Sequence, residues 1–226
     1  MSSKYPGLAV VSSGAEYRRH VAGQPAGELV DLARHVPGLV LDIRYATAQN
    51  LLGRPVYELA RAYLRRPVAE ALARVQAALA GRGLGLCVYD AYRPYHVTVR
   101  FYEHVQDETF AAPPWRGSRH NRGASVDVGL VELPSGRPVP LPTDFDELTP
   151  AAHARYAQLP AHVLLNRCVL LAAMQAQGFV NYPGEWWHFD HASWASFGLL
   201  DLSFEDLENP SRNSAGCAAE AVFFRQ

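Results

Sequence analysis

Two short segments of this chain carry residue types and spacings that could build a hydrolytic zinc site. The first runs Ser118-Arg119-His120-Asn121-Arg122-Gly123-Ala124-Ser125-Val126-Asp127, and the second Glu185-Trp186-Trp187-His188-Phe189-Asp190. Two histidines and one carboxylate are a ligand set that zinc takes when a fourth position is kept open for water. A further carboxylate near one of those histidines, here Glu185, could take a proton from that water. Each residue alone has a plainer reading. His120 in a polar turn is usual surface composition, and His188 behind two tryptophans could be a core histidine with both ring nitrogens satisfied. Glu185 could be a surface carboxylate at a loop.

The backbone must solve a geometric problem for these side chains to meet. His120 and Asp127 are seven apart, an odd offset that puts them on opposite faces of an uninterrupted strand. Asn121-Arg122-Gly123 is a turn or bulge signal that could bring them together. Glu185 precedes His188 by three, so the Pro183-Gly184 break must re-aim it. A glutamate beside Trp186 and Trp187 would be partly desolvated, which raises its pKa toward general-base values.

Three further residues could serve the same chemistry. Arg93, where a strand gives way to a helix, could stabilise an oxyanion, or could simply pair with Asp90 at the helix start. Asp146 lies in a polar loop and could receive a substrate ammonium, or could cap a helix near Thr149-Pro150. Ser118 is placed as a hydrogen-bond donor to substrate or ligand. No GxSxG elbow supports a serine nucleophile.

The elements that would position these residues read as follows. Val68, Leu72, Val75 and Leu79 have helical spacing within a helix over 67–80, which opens on Pro67 and ends before Gly81. Helices are also expected from Tyr95 to about Val105 and from Ala161 to Gln177. Leu84–Tyr89 reads as a buried strand, Phe179–Tyr182 as a short one, and Leu39–Arg44 as a strand buried at its start and half-exposed at its end. Without a regular βαβ rhythm, the expected class is α+β: one domain with a small, mainly antiparallel central sheet flanked by helices. That domain is placed at 1–207, with a polar, turn-rich C-terminal tail at 208–226.

Composition bounds the rest. The 226 residues are 49% hydrophobic and 19% charged, with a formal net charge of −1. That is ordinary for a globular domain, and no basic block points to nucleic acid. Arg61, Arg65 and Arg66 read as a solvated helix face. No apolar run approaches the ~18 residues of a membrane span, and no secretion signal is visible, so a cytoplasmic location and no membrane partner are expected. Cys87, Cys168 and Cys217 form no CxxC pair, which argues against sulfur-ligated metal. Cys87 and Cys168 read as buried small hydrophobes.

The S-x-H-x-x-G-x-x-x-D pattern at Ser118, His120, Gly123 and Asp127, followed by Glu185-Trp186-Trp187-His188, resembles the D-alanyl-D-alanine dipeptidases. These are the VanX-type zinc peptidases associated with vancomycin resistance. The similarity extends from about Leu39 to Asp190 and includes Asp42-Ile43-Arg44-Tyr45-Ala46-Thr47 and Asp90-Ala91-Tyr92-Arg93-Pro94. It implies one zinc per chain on His120, Asp127 and His188, with Glu185 as base, Arg93 as transition-state stabiliser and Asp146 near the substrate's amino end. The implied substrate is a small dipeptide. Ser125 stands where family members usually have alanine, and the stretch between Arg93 and Ser118 is shorter than in the resistance enzymes, which bears on substrate range. A zinc carboxypeptidase acting on larger peptidoglycan peptides and a non-catalytic zinc-binding domain are the rival readings. The oligomeric state is not legible.

Overall fold

Proline and glycine punctuation fixes the longest helix. A computed structural model describes Tyr5 and residues 7–50, 52–108 and 111–208. In chain order its main elements are strand β1 (Val10–Val11), helix α1 (Gly14–Gly23), strand β2 (Leu29–Asp31), helix α2 (Leu32–His35), strand β3 (Val40–Leu41) and strand β4 (Tyr63–Arg65). Helix α3 (Arg66–Ala80), strand β5 (Leu84–Asp90), helix α4 (Tyr95–Val105) and strand β6 (Ser125–Glu132) follow. The last are helix α5 (Ala161–Gln175), strands β7 (Phe179–Asn181), β8 (His188–His191) and β9 (Leu199–Leu200), and helix α6 (Phe204–Glu208). In α3, Pro67 occupies the first turn, where its missing N–H costs nothing, and Gly81 caps the end. Val68, Leu72, Val75 and Leu79 are buried on one face, each contributing about 1.5–3 kcal/mol. Gln76 shares that face and ties the helix to the sheet: its Oε1 accepts from the Leu86 N–H at 2.8 Å and its Nε2 donates to the Gly38 carbonyl at 3.1 Å.

The central sheet has five strands in the order β3-β5-β6-β8-β7. Only the β3–β5 pair is parallel; β5–β6, β6–β8 and β7–β8 are antiparallel. The α+β class and the mainly antiparallel sheet are therefore as expected. β6 is buried at every position except Glu132, which suits the middle strand of a sheet covered on both faces. Helices α3 and α5 pack on each other and on this sheet. Two small ribbons complete the body, β2 antiparallel to β4 and β1 parallel to β9.

Three expectations need correction. The strand expected over Leu39–Arg44 is only Val40–Leu41. Asp42 still donates to the Val88 carbonyl at 2.9 Å, but the chain then turns over Arg44–Ala46. Arg44 bonds Asp42 at 2.7 Å and Tyr45 is buried, so pairing and burial there outweigh strand extension. Cys87 is buried as expected, whereas Cys168 is exposed on α5 beside exposed Leu165, because α5 is apolar on more faces than the sheet can cover. Arg65 lies on no solvated helix face: it ends β4 and is 4% exposed. Cys217 and the tail beyond Glu208 lie outside the described residues. Among the described residues, no helix is long and apolar enough to cross a membrane.

Candidate metal and substrate site

The first motif is shaped by a turn that the rest of the fold grips from several sides. His120–Arg122 form one 3-10 turn, closed by Gly123 in the left-handed region at φ 66°. A Cβ on Gly123 would lie 2.5 Å from Leu29 Cδ2, so both the conformation and the space require glycine. Buried Arg65 donates from Nε to the Arg122 carbonyl at 2.7 Å, from Nη2 to the Gly198 carbonyl at 3.1 Å, and from Nη1 to the Gly27 carbonyl. Its own N–H donates to the Gly123 carbonyl at 2.9 Å. Burial lowers the Arg65 pKa to about 10, which leaves it charged at neutral pH. Asn121 works from inside the turn: its Oδ1 accepts from the Ser118 N–H at 2.7 Å, and its Nδ2 donates to the Arg93 carbonyl and to Thr98 Oγ1, both at 2.8 Å. The expected break is present, and it joins the His120 turn to the Arg93 segment.

The sheet then supplies the partners. Asp127 on β6 sits directly across from His188 on β8 and, past a bulge at Val88/Asp90, across from Asp90 on β5. Cross-strand neighbours on one face lie within side-chain reach. His120 Nε2 is 3.1 Å from His188 Nδ1, His188 Nδ1 is 3.0 Å from Asp127 Oδ1, and His120 Nε2 is 3.4 Å from Asp127 Oδ1.

The outer ring nitrogens fix the tautomers. His120 Nδ1 lies 2.6 Å from the Ala91 carbonyl, which can only accept, so Nδ1 carries the proton. His188 Nε2 lies 3.1 Å from Asp190 Oδ1, which likewise draws the proton to that nitrogen. In the neutral rings, then, two nitrogen lone pairs and a carboxylate oxygen converge, all within 4.8 Å of one another. Three converging acceptors need a cation. Ligand atoms at tetrahedral zinc, bound at 2.0–2.1 Å, lie about 3.3 Å apart, so the spacing and the donor chemistry both fit zinc. Burial opposes charge on Asp127, but His120 and His188 hold its carboxyl well below the usual range. Burial also opposes a charged His188, yet its bonds to Asp127 and Asp190 raise its pKa well above the usual value, so without metal Nδ1 carries a proton toward Asp127, and a metal there would take that proton's place.

The second motif enters through the expected Pro183-Gly184 turn. β8 begins only at His188, so Glu185 is freed from strand alternation. Asn181 holds the irregular stretch: its Nδ2 lies 3.0 Å from the Glu185 carbonyl, 3.3 Å from that of Trp186 and 2.9 Å from that of His188. Trp186 and Trp187 are buried edge-to-face beneath it. Glu185 Oε2 comes to 4.0 Å from His188 Nδ1. Burial raises the Glu185 pKa, and the nearby histidines only partly offset that.

Arg93 makes the ion pair with Asp90 that its plainer reading expected. Its Nε and Nη2 donate to Asp90 Oδ2 at 3.0 and 2.8 Å, while Nη2 also comes within 4.0 Å of Asp127 Oδ2. Tyr57 donates to the other Asp90 oxygen at 2.7 Å, and the guanidinium lies over the Tyr45 and Phe101 rings. Burial disfavours its charge, but Asp90 more than restores it, and the pKa stands well above the usual value.

Asp146 has φ 60° and lies in the loop anchored by Phe145, which packs on Tyr89 and Trp187. Its Oδ1 accepts from the Tyr45 hydroxyl at 3.2 Å, and its Oδ2 is buried with no hydrogen-bond partner among the described residues. Burial first, and repulsion from Asp127 second, raise its pKa to about 7. It is not the helix cap that was the alternative: Thr149 precedes the 3-10 turn Pro150–Ala152. Ser118 is nearly buried; its Oγ accepts from the His120 N–H at 3.2 Å, and the residue lines the cleft beside Glu185 and His188.

Four residues at this site carried no role in the sequence reading. Asp190 bonds His188, and Ser125 Oγ donates to the same Asp190 oxygen at 2.5 Å. His188 and Asp190 are two apart, and that i, i+2 spacing on a strand places them on one face, a signal present in the sequence. Arg119 pairs with Asp190 and lies 4.4 Å over the Trp194 ring. Tyr182 meets the His188 ring edge-to-face at 5.8 Å. Neither showed a readable pattern.

An α+β domain with a His–Asp–His cluster beside a half-buried glutamate has the make-up of a metallopeptidase. The chain matches the Peptidase_M15 family model, described as D-ala-D-ala dipeptidase, over residues 25–205, and it belongs to that family of metallopeptidases. It is 34% identical over 183 residues to the D-alanyl-D-alanine dipeptidase of Escherichia coli (strain K12), covering 81% of this chain and 94% of that protein. The dipeptidase of Streptomyces coelicolor is 30% identical over 183 residues, covering 72% of this chain and 91% of its own length. That of Enterococcus faecium is 29% identical over 174 residues, covering 68% and 86%.

Proposed function

We propose that this chain is a zinc-dependent dipeptidase that hydrolyses D-Ala-D-Ala to two molecules of D-alanine. One observation carries the reading: three acceptor atoms of His120, Asp127 and His188 converge within 4.8 Å, and the carboxylate of Glu185 stands 4.0 Å from one of them. Family membership and the names of the relatives support the substrate.

His120, Asp127 and His188 would hold the metal. When bound, zinc acts as a Lewis acid that polarises a carbonyl and acidifies water to near neutral pH. Glu185, with its pKa raised by burial, takes a proton from the attacking water and passes it to the leaving amine. Arg93, kept charged and aimed by Asp90, stabilises the oxygen on which negative charge develops. Asp146, whose Oδ2 is buried and unpartnered, receives the substrate's ammonium. Ser118, at the cleft wall, contributes a hydroxyl to the bound peptide. The cleft in front of Glu185 and His188 holds about 320 Å³, a scale that suits a small ligand.

The test offers D-Ala-D-Ala, L-Ala-L-Ala and a muramyl pentapeptide to the zinc-loaded protein, with Glu185→Ala as control. Turnover of the D,D-dipeptide alone, abolished in the control, is expected. Equal turnover by the control would sink the mechanism. Cleavage of the pentapeptide but not the dipeptide would replace the substrate by a longer peptidoglycan peptide.

A further inference from the structure

Resting on the dipeptidase reading, we propose that Arg119 is the receptor for the free carboxylate of the substrate's C-terminal residue, and so sets the preference for a chain end over an internal bond. The cleft that opens onto Glu185 and His188 has acidic groups on several sides. A dipeptide reaching the metal carries an ammonium at one end and a carboxylate at the other. Asp146 offers an answer to the first only. Two guanidinium groups border the cleft, those of Arg116 and Arg119. Arg116 is 66% exposed and paired with Glu108 at the rim. Arg119 is adjacent in sequence to both Ser118 and His120, which anchors it against the metal turn.

Its side chain is aimed rather than free. Nη1 pairs with Asp190 Oδ2, and the guanidinium plane is supported by the Trp194 ring at 4.4 Å. A guanidinium fixed along one edge has further N–H donors for a planar carboxylate, the geometry that arginine recognises in paired fashion. Asp190 does not cancel the charge, because it is shared: its Oδ1 is already engaged by His188 and Ser125. The side chain is 45% exposed, so a ligand in the cleft can reach it.

The experiment compares D-Ala-D-Ala with its C-terminal amide on wild-type, Arg119→Ala and Arg119→Lys proteins, and measures zinc affinity of each by chelator competition. Wild type should favour the free acid over the amide by about 10–100-fold in kcat/KM, the range of a hydrogen-bonded charge pair. Arg119→Ala should erase that preference through KM for the acid, leave KM for the amide within about twofold, and lower zinc affinity by no more than about fivefold, the loss of one restraint on Asp190. Arg119→Lys should recover part of the preference. Equal losses on acid and amide, with weakened zinc, would overturn the inference and make Arg119 a residue that acts through Asp190 and His188. A wild-type enzyme that cleaves the acid without preferring it over the amide also overturns it, while the dipeptidase reading stands. Cleavage of neither dipeptide removes that reading, and the inference with it.

Discussion

The sheet-borne half of the site and the turn-borne half are built on different principles. Asp127 and His188 are opposed on neighbouring strands, and the ring nitrogens facing away from the cluster both have acceptors, the Ala91 carbonyl for His120 and Asp190 for His188. Glu185 and Asp146 stand instead on irregular backbone, held by side chains rather than by a ladder: Asn181 and the buried Trp186 and Trp187 for the first stretch, the Tyr45 hydroxyl and the Phe145 ring for the second. The sheet half is satisfied except toward the point where its three acceptor atoms converge. The turn half keeps deliberate gaps, a raised glutamate and an aspartate oxygen with no partner. Ligand-holding geometry tolerates little freedom, whereas groups that must change protonation or accept a substrate charge need unmet capacity. Substitutions in the sheet half should therefore move metal affinity first, and those in the turn half should move kcat, KM or pH dependence with the metal retained.

The sharpest way to break this division is a pair of variants at neighbouring positions. Glu185→Gln should lower kcat by about 10²–10⁴-fold, the range for loss of a positioned general base, with zinc content unchanged. His188→Ala should lose zinc on dialysis, and activity with it. Measuring both zinc content and kcat on each decides the matter: a Glu185→Gln protein that arrives without metal would show that the turn half also holds the ion.

Asp190→Ala comes next. It removes the acceptor that fixes the His188 tautomer, and loss of such a partner weakens metal binding by about 10–100-fold. Titration against a chelator should show that drop, while kcat of the fully loaded enzyme stays within a few-fold. A kcat collapse at saturating zinc would move Asp190 out of the sheet half's supporting role and into the chemistry.

How far the sequence disclosed all this follows the same division. Helix α3 was readable because Val68, Leu72, Val75 and Leu79 repeat at the helical period between Pro67 and Gly81, and α4 and the start of α5 were placed equally well. Both backbone breaks were readable from Asn121-Arg122-Gly123 and Pro183-Gly184, because turn chemistry is local. What stayed hidden depends on long-range packing. β4 is three residues long with no alternation to detect, and nothing local marks Arg65 as the buried hub that binds carbonyls at positions 27, 122 and 198. The Leu39–Arg44 strand stops early because Tyr45 turns into the core, where its hydroxyl meets Asp146, a partner 101 residues away. Arg119 and Tyr182 acquire meaning only when the two motifs share a cleft.

Asp146 tests the turn half by pH. Its folded pKa of about 7 lies above the ordinary value of 3.8, with burial as the main cause. The native state thus binds a proton that the unfolded chain releases at lower pH, so this group's contribution falls as pH rises from about 4 to about 7 and is flat beyond. Asp146→Asn removes that loss. In the metal-free protein the variant should be more stable than wild type at pH 8, on the order of 2–4 kcal/mol, and no more stable at pH 4. Denaturant melts at the two pH values read this directly. A substrate ammonium would draw the proton off, so KM for D-Ala-D-Ala should fall between pH 6 and pH 8 in wild type and stay flat in the variant. Matching KM profiles would remove Asp146 from the substrate's amino end.

Ser125→Ala is the smallest and most discriminating change. The Ser125 hydroxyl is fully buried and donates to the same Asp190 oxygen that His188 uses, so it restrains the carboxylate rather than the metal. Its loss leaves Asp190 paired with Arg119, and zinc affinity should drop by only about two- to fivefold, within the ~0.5–1.5 kcal/mol of a typical hydrogen bond. The effect must travel through Asp190 to count as part of the sheet half. In an Asp190→Ala background, Ser125→Ala should change zinc affinity by nothing measurable, since residues acting in series are non-additive. Full additivity of the two losses would mean that Ser125 touches the site by another route, and that the order of the sheet half ends at the first ring of partners.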